Sequence, residues 1–274
     1  MTQPTASPTL DTLFKRILAR QPDRLALVDP LNKPRIMGEP PKRLTFAQAD
    51  RMISSLAAHF IESGLPANSV IAVQLPNTIE FALTVLAAFR AGLVVAVLPL
   101  LWRQSELSMA LNRSAARAIV TASKIDGVVY SDIAMNAAAE AFSIRHVRGF
   151  GSDLPEGMAS LDLAILRESA TTRAVIQDGR KAALISFDVT SDGFRPVPRT
   201  HLGLIAAGLA ISLESDAPQG AKADERGGLI DASRRDDHRR RAAPPLAPFD
   251  IEGVPLRRCD DAICADNRGD RFGG

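Results

Sequence analysis

The sequence predicts an α/β fold: a layered, parallel-rich sheet with flanking helices. Two observations carry this. From Arg24 to about residue 213, apolar runs of strand length alternate with longer stretches of helical period, the pattern of strand–helix–strand units. Several of the short runs, such as 70–75 (VIAVQL) and 93–98, are apolar almost throughout. Such runs suit strands covered on both faces.

Taken in order, residues 1–10 read as a disordered leader, and 10–20 as a short amphipathic helix with Leu13, Ile17 and Leu18 at helical spacing. Residues 24–29 (RLALVD) make a strand and the Pro-containing 31–42 a loop. A short strand at 44–46 leads into a helix that opens at Thr45 or Phe46 and runs to about Ser63. Ala49, Met52, Ile53, Leu56, Ala57 and Phe60 share one of its faces, and Gly64 stops it. After the strand at 70–75, Thr78 caps a helix over 79–91, which Gly92 stops. A buried strand at 93–98 follows, then a helix opened by Ser105 with Glu106 at its positive end. Residues 118–121 are a strand, 133–141 a helix, 144–147 a strand, 149–157 a loop and 161–168 a short helix.

Composition bounds the function. A chain of 274 residues with 46% hydrophobic content supports one large or two ordinary domains, and a net charge of +2 gives no strong pull towards nucleic acid or anionic membrane. Cys259 and Cys264 are the only cysteines, so no disulfide framework holds the core, as expected for a cytoplasmic protein; their C-x4-C spacing is poor evidence for zinc. The N-terminus lacks the pattern of a signal peptide. The most apolar region, 83–102, is broken by Arg90, Gly92 and Pro99 and reads as buried helix then strand rather than a membrane span. G-x-S-x-G is absent. Gly203 and Gly208 have the glycine spacing of a Walker loop, but Leu209 stands where its lysine belongs.

The stretch richest in chemistry is 182–213. An apolar strand, 182–187, enters a polar loop, 188–198, and an apolar helical run, 202–213, follows. The loop places Thr190 and Ser191 beside Gly193. Glycine lets the backbone approach an anion, and hydroxyls, amides and a helix N-terminus can donate to it. An ordinary strand-to-helix turn fits the loop as well. His59, His146 and Trp102 read as structural.

Residues 44–121 resemble the N-terminal half of adenylate-forming (AMP-binding) enzymes of the acyl-CoA synthetase kind. The likeness rests on LTF at Leu44, LPNTIEF from Leu75, AAFRAG from Ala87, the apolar strand before Pro99, and SELSMALNRSAARAIVT from Ser105. It extends over most of 10–213. The family's next landmark is a Thr/Ser/Gly-rich phosphate loop ending in Pro-Lys, then a Thr-His pair. Here Thr190, Ser191, Gly193 and Pro196 match in type, and Thr200-His201 matches the pair. Asp192 replaces a small or hydroxyl residue, Val197 stands at the lysine position, and Arg195 or Arg199 offers positive charge instead. The resemblance implies ATP with Mg2+ bound through Thr190, Ser191, Asp192, Gly193, Arg195 and His201, with a carboxylic acid and CoA as co-substrates. It also implies two steps: acyl-adenylate formation with loss of pyrophosphate, then displacement of AMP by the thiol. No catalytic residue and no resident metal site is assigned.

The family's later adenine, ribose and C-terminal lysine segments have no counterpart after Glu214. Residues 214–274 are dominated by Arg, Asp, Ala, Gly and Pro and lose apolar periodicity. Two readings compete: an out-of-frame translation, or a disordered basic tail in which residues 234–241 contact nucleic acid or an acidic partner. Asp236-Asp237-His238 reads as solvated charge. The expectation is therefore a 1–10 leader, a partial AMP-binding domain over 11–213 and a low-order tail. Such a fragment is inactive and poorly soluble, because sheet edge and core are exposed. The alternative is a non-catalytic nucleotide-binding or scaffold module.

Overall fold

A computed structural model describes residues 7–166, 175, 178–191 and 193–214, together with the backbone of two short strands beyond them. In chain order the elements are α1 (Leu10–Arg20), β1 (Leu25–Val28), α2 (Lys33–Met37), β2 (Arg43–Thr45), α3 (Phe46–Glu62), β3 (Val70–Val73), α4 (Ile79–Arg90), β4 (Val94–Val97), α5 (Gln104–Ser114) and β5 (Ala118–Ala122). Then come β6 (Lys124–Ile125), β7 (Val128–Val129), α6 (Tyr130–Ala139), β8 (His146–Phe150), β9 (Met158–Ser160), α7 (Leu161–Leu166), β10 (Ala182–Thr190), β11 (Gly193–Thr200), α8 (His201–Glu214), β12 (Lys222–Ala223) and β13 (Leu229–Ile230).

Seven strands form one sheet in the order β11-β10-β4-β3-β5-β8-β9. Every neighbouring pair is parallel except the terminal hairpin β10–β11. Strand periodicity sends alternate residues to opposite faces. Ile71, Val73, Val95 and Val120 therefore join one core, with Phe60, Leu83 and Phe89 from α3 and α4. Ala72, Val94, Ala96 and Ile119 join the other, with Leu107 and Leu111 from α5 and Ala134 from α6. The continuous apolar runs are thus explained: both faces are covered.

Buried charge ties the helices to this sheet. Lys33 Nζ donates to Asp29 Oδ2 at 2.8 Å and to Glu80 Oε1 at 2.6 Å, with the lysine side chain fully buried. Arg90 Nη2 of α4 reaches Asp11 of α1 at 2.8 Å and Asp50 of α3 at 2.7 Å. Deeply buried cations are tolerated only when paired in this way.

The structure corrects several expectations. Most of the expected 188–198 loop is strand: 188–190 complete β10 and 193–198 begin β11, paired from Ala182↔Thr200 to Thr190↔Gly193. Val189, Phe194 and Val197 favour extended backbone, and Pro196 and Pro198 are tolerated because β11 lies at the sheet's edge. Helix α2 occupies part of the expected 31–42 loop, with Pro34 in its first turn, where no backbone donor is needed. Thr78 is the N-cap residue of α4, as expected, but its hydroxyl makes no capping hydrogen bond and faces Met37 Sδ at 3.5 Å. Asp29 Oδ1 instead accepts from the Ile79 amide at 2.8 Å. Helix α6 opens three residues early at Tyr130, and Gly149 belongs to β8. Of the leader, Thr9 is ordered as the cap of α1, its hydroxyl accepting from the Thr12 amide at 3.2 Å.

Helix α8 is apolar along most of its length, yet His201 is its one buried residue; Leu209, Ile211 and Leu213 are 59%, 65% and 81% exposed. Asp192, residues 234–241, the Asp236-Asp237-His238 cluster and both cysteines lie outside the described residues.

Candidate functional site

The hairpin is built from the sheet outwards. β10 lies parallel to β4, with Ile185 opposite Ala96. It runs on past the end of β4, so its turn projects about 13 Å beyond the C-terminal edge at roughly 3.3 Å per residue. In open parallel sheets that edge is where ligands bind. Gly193 closes the turn with φ 103°, a backbone region closed to most side chains. Thr190 Oγ1 donates to Gly193 O at 2.8 Å.

Aromatic packing fixes the hairpin's position. Trp102 stacks on Phe194 of β11 at 4.2 Å between centroids and meets Phe187 of β10 edge-on at 5.5 Å. The Trp102 segment is itself pinned: Gln74 Nε2, at the end of β3, donates to Pro99 O at 3.0 Å and Trp102 O at 3.1 Å. Arg103, the N-cap residue of α5, holds its guanidinium 5.4 Å from the Tyr130 ring centroid. From below, α5 presents Met109 and Arg113: a Cβ added to Gly193 would lie 3.2 Å from Met109 Sδ and 3.5 Å from Arg113 Nη2.

Thr190, Ser191, Gly193 and Arg195 therefore gather at the projecting turn, where Thr190, Ser191 and Arg195 are exposed. Asp192 belongs between them in sequence but lies outside the described residues. His201 is not brought to this cluster. His201 lies eight residues beyond Gly193, past the far end of β11, about 26 Å of extended chain from the turn. His201 instead packs edge-on against Phe89 at 4.9 Å and beside a cavity of about 30 Å³ that Asn68, Gly92, Leu93 and Lys181 also line. Burial pushes its imidazole below the ordinary value, opposed by the charge of Asp11. Among the described residues its Nδ1 has no hydrogen-bond partner, and the cavity has room for one water. Thr200 acts as the helix cap, its hydroxyl accepting from the Gly203 amide at 3.0 Å.

Met109, Arg113, Trp102 and Gln74 escape sequence reasoning as parts of this site. Their places depend on long-range packing of α5 and the 99–102 segment against the hairpin, which no local period encodes.

A hydroxyl, a glycine backbone and the guanidinium groups of Arg195 and Arg113 suit a polyphosphate chemically. Among the described residues no group of three or more His, Cys, Asp or Glu side chains could hold a metal ion. Among the same residues no helix is long and apolar enough to cross a membrane.

The family described as "AMP-binding enzyme" matches residues 14–180. The chain is 28% identical over 193 residues to a salicyl-AMP ligase/salicyl-S-ArCP synthetase of Mycobacterium tuberculosis, covering 70% of this chain and 33% of that protein. It is 24% identical over 201 residues to the medium-chain fatty-acid–CoA ligase of Escherichia coli, covering 73% and 34%. In fold it is similar to a long-chain-fatty-acid-CoA ligase from Archaeoglobus fulgidus, with TM-score 0.66 and 18% identity over 81% of this chain and 43% of that one. It is also similar to MbtA of Mycobacterium smegmatis, with TM-score 0.60 and 25% identity over 71% and 34%. The chain thus spans about a third of the length of these two curated relatives.

Proposed function

Because the chain belongs to the AMP-binding enzyme family, we propose that it is the N-terminal portion of an adenylate-forming acid–thiol ligase, holding ATP by its phosphates without completing acyl transfer alone. The observation that supports this most is the hairpin turn. It projects beyond the C-terminal edge of a parallel sheet, with Gly193 at φ 103° and Thr190, Ser191 and Arg195 around it.

Bound ATP would supply an electrophilic α-phosphorus and a pyrophosphate leaving group. The chain's own contribution is positioning and charge neutralisation, which carry most of the catalysis in phosphoryl chemistry. At Gly193 the absence of a side chain opens the backbone to a phosphate oxygen. Ser191 and Thr190 supply hydroxyls at the same turn, and Arg195 supplies positive charge. Trp102, Phe187 and Phe194 hold the turn in place, so little ordering is left to occur on binding. His201, buried at the far end of β11, packs the base of α8 in this reading and touches no nucleotide. In the whole enzyme the co-substrates are a carboxylic acid and CoA, and the compartment is the cytoplasm.

The test is ATP–pyrophosphate exchange by the isolated chain, with salicylate and octanoate offered as the acid, beside equilibrium binding of ATP. Saturable ATP binding without exchange is expected. Exchange above the protein-free blank would overturn the assignment of the chain as inactive alone.

A further inference from the structure

We infer that Arg113 of α5 is a further polyphosphate-binding residue at the hairpin turn; this rests on the phosphate-binding reading of that turn. Met109 and Arg113 are four residues apart on α5 and so share one face. That face meets the turn: Met109 Sδ and Arg113 Nη2 are the side-chain atoms that a Cβ on Gly193 would approach, at 3.2 Å and 3.5 Å. The guanidinium therefore lies against the one position where the backbone is bare.

The residue types in this stretch of sequence add to the case. Asp192 places a carboxylate in the sequence between Ser191 and Gly193, and a polyphosphate brings several negative charges more. Val197, opposite Ser186 in the ladder, supplies no charge. Arg195 lies two residues beyond Gly193 on β11, opposite Asp188 in the ladder. Arg113 reaches the turn from a different element, and its planar fork can bind a phosphate through two parallel hydrogen bonds. Two cations from two elements then bracket the turn, Arg195 from the strand and Arg113 from the helix beneath it.

The chain has one tryptophan, and it stacks on the hairpin, so its emission reports whether the hairpin has moved. Arg113→Met, Arg113→Lys and the remote surface control Arg20→Met are titrated with inorganic pyrophosphate and with ATP by calorimetry. Trp102 emission of each unliganded variant is recorded in parallel. A charge-assisted hydrogen bond contributes enough that Arg113→Met should weaken pyrophosphate about tenfold or more. Arg113→Lys should weaken it less, Arg20→Met should match the wild type, and unliganded Trp102 emission should stay unchanged. Wild-type affinity in Arg113→Met overturns the role of Arg113 and leaves the turn's role standing. Weakened binding with shifted Trp102 emission in the unliganded variant also overturns it, because Arg113 would then only hold the hairpin. No saturable binding by the wild type overturns both readings together.

Discussion

Lys33→Met should be among the most destabilising single changes in the chain. Lys33 is fully buried and donates to two carboxylates, Asp29 at 2.8 Å and Glu80 at 2.6 Å. Its loss does not harm both equally. Asp29 keeps the Ile79 and Lys42 amides, at 2.8 Å and 2.9 Å. Among the described residues Glu80 keeps only the Lys42 ammonium at 3.9 Å, and its Oε2 already lacks a hydrogen-bond partner. Breaking a buried pair by removing one partner costs about 3–5 kcal/mol, since an uncompensated charge remains. For a domain of this size that corresponds to a fall in Tm of about 6–20 °C. Urea unfolding followed by circular dichroism measures the loss. Adding Glu80→Gln to Lys33→Met should recover part of it, because the stranded charge is removed. Lys15→Ala serves as the contrast: its pair with Asp11 at 3.1 Å leaves the lysine side chain 48% exposed, so it should cost under about 1 kcal/mol. A Lys33→Met loss no larger than that of Lys15→Ala would refute the view that this network is desolvated.

Three further outcomes follow from burial. His201 is held below the ordinary imidazole value of 6.5 by burial, so the folded state binds fewer protons than the unfolded one. Stability should rise with pH up to that value and level off above it, and His201→Phe should flatten the slope, as urea midpoints between about pH 5 and 8 will show. Burial raises the Asp162 carboxyl above its ordinary 3.8, against the Gly151 amide that donates to it at 2.8 Å. The contribution of Asp162 is therefore best at acid pH and declines as pH rises through the raised value; Asp162→Asn should be more stable than wild type at pH 7, with the gap closing in acid. The exposed apolar face of α8 should bind a hydrophobic dye and promote aggregation. Leu209→Glu with Leu213→Glu should reduce both while shifting the Tm little, since those side chains are 59% and 81% exposed.

The sheet and its helices were legible because the signals were local and repeated. Leu13, Ile17 and Leu18 marked α1 to its ends, Ala49 to Phe60 marked α3, and unbroken apolar runs marked β3 and β4 as doubly covered. The hairpin was misread because Asp188, Ser191, Gly193 and two prolines carry loop composition, while edge position and pairing with β10 decide the conformation. Asp29 as the cap of α4 was illegible for a related reason: the contact spans fifty residues. Residue types at the turn could be read along the chain. That Arg113 lies beside Gly193, and His201 far from it, depends on how α5 and β11 pack, which is tertiary information.

The most direct measurement is equilibrium dialysis of the folded chain against radiolabelled ATP, with inorganic pyrophosphate as competitor and Gly193→Val as the variant. Saturable binding by the wild type, displaced by pyrophosphate and lost in Gly193→Val, is the result expected of a phosphate-holding turn. Absence of saturable binding in a chain whose cooperative unfolding shows it to be folded, or binding that survives Gly193→Val unchanged, would contradict it.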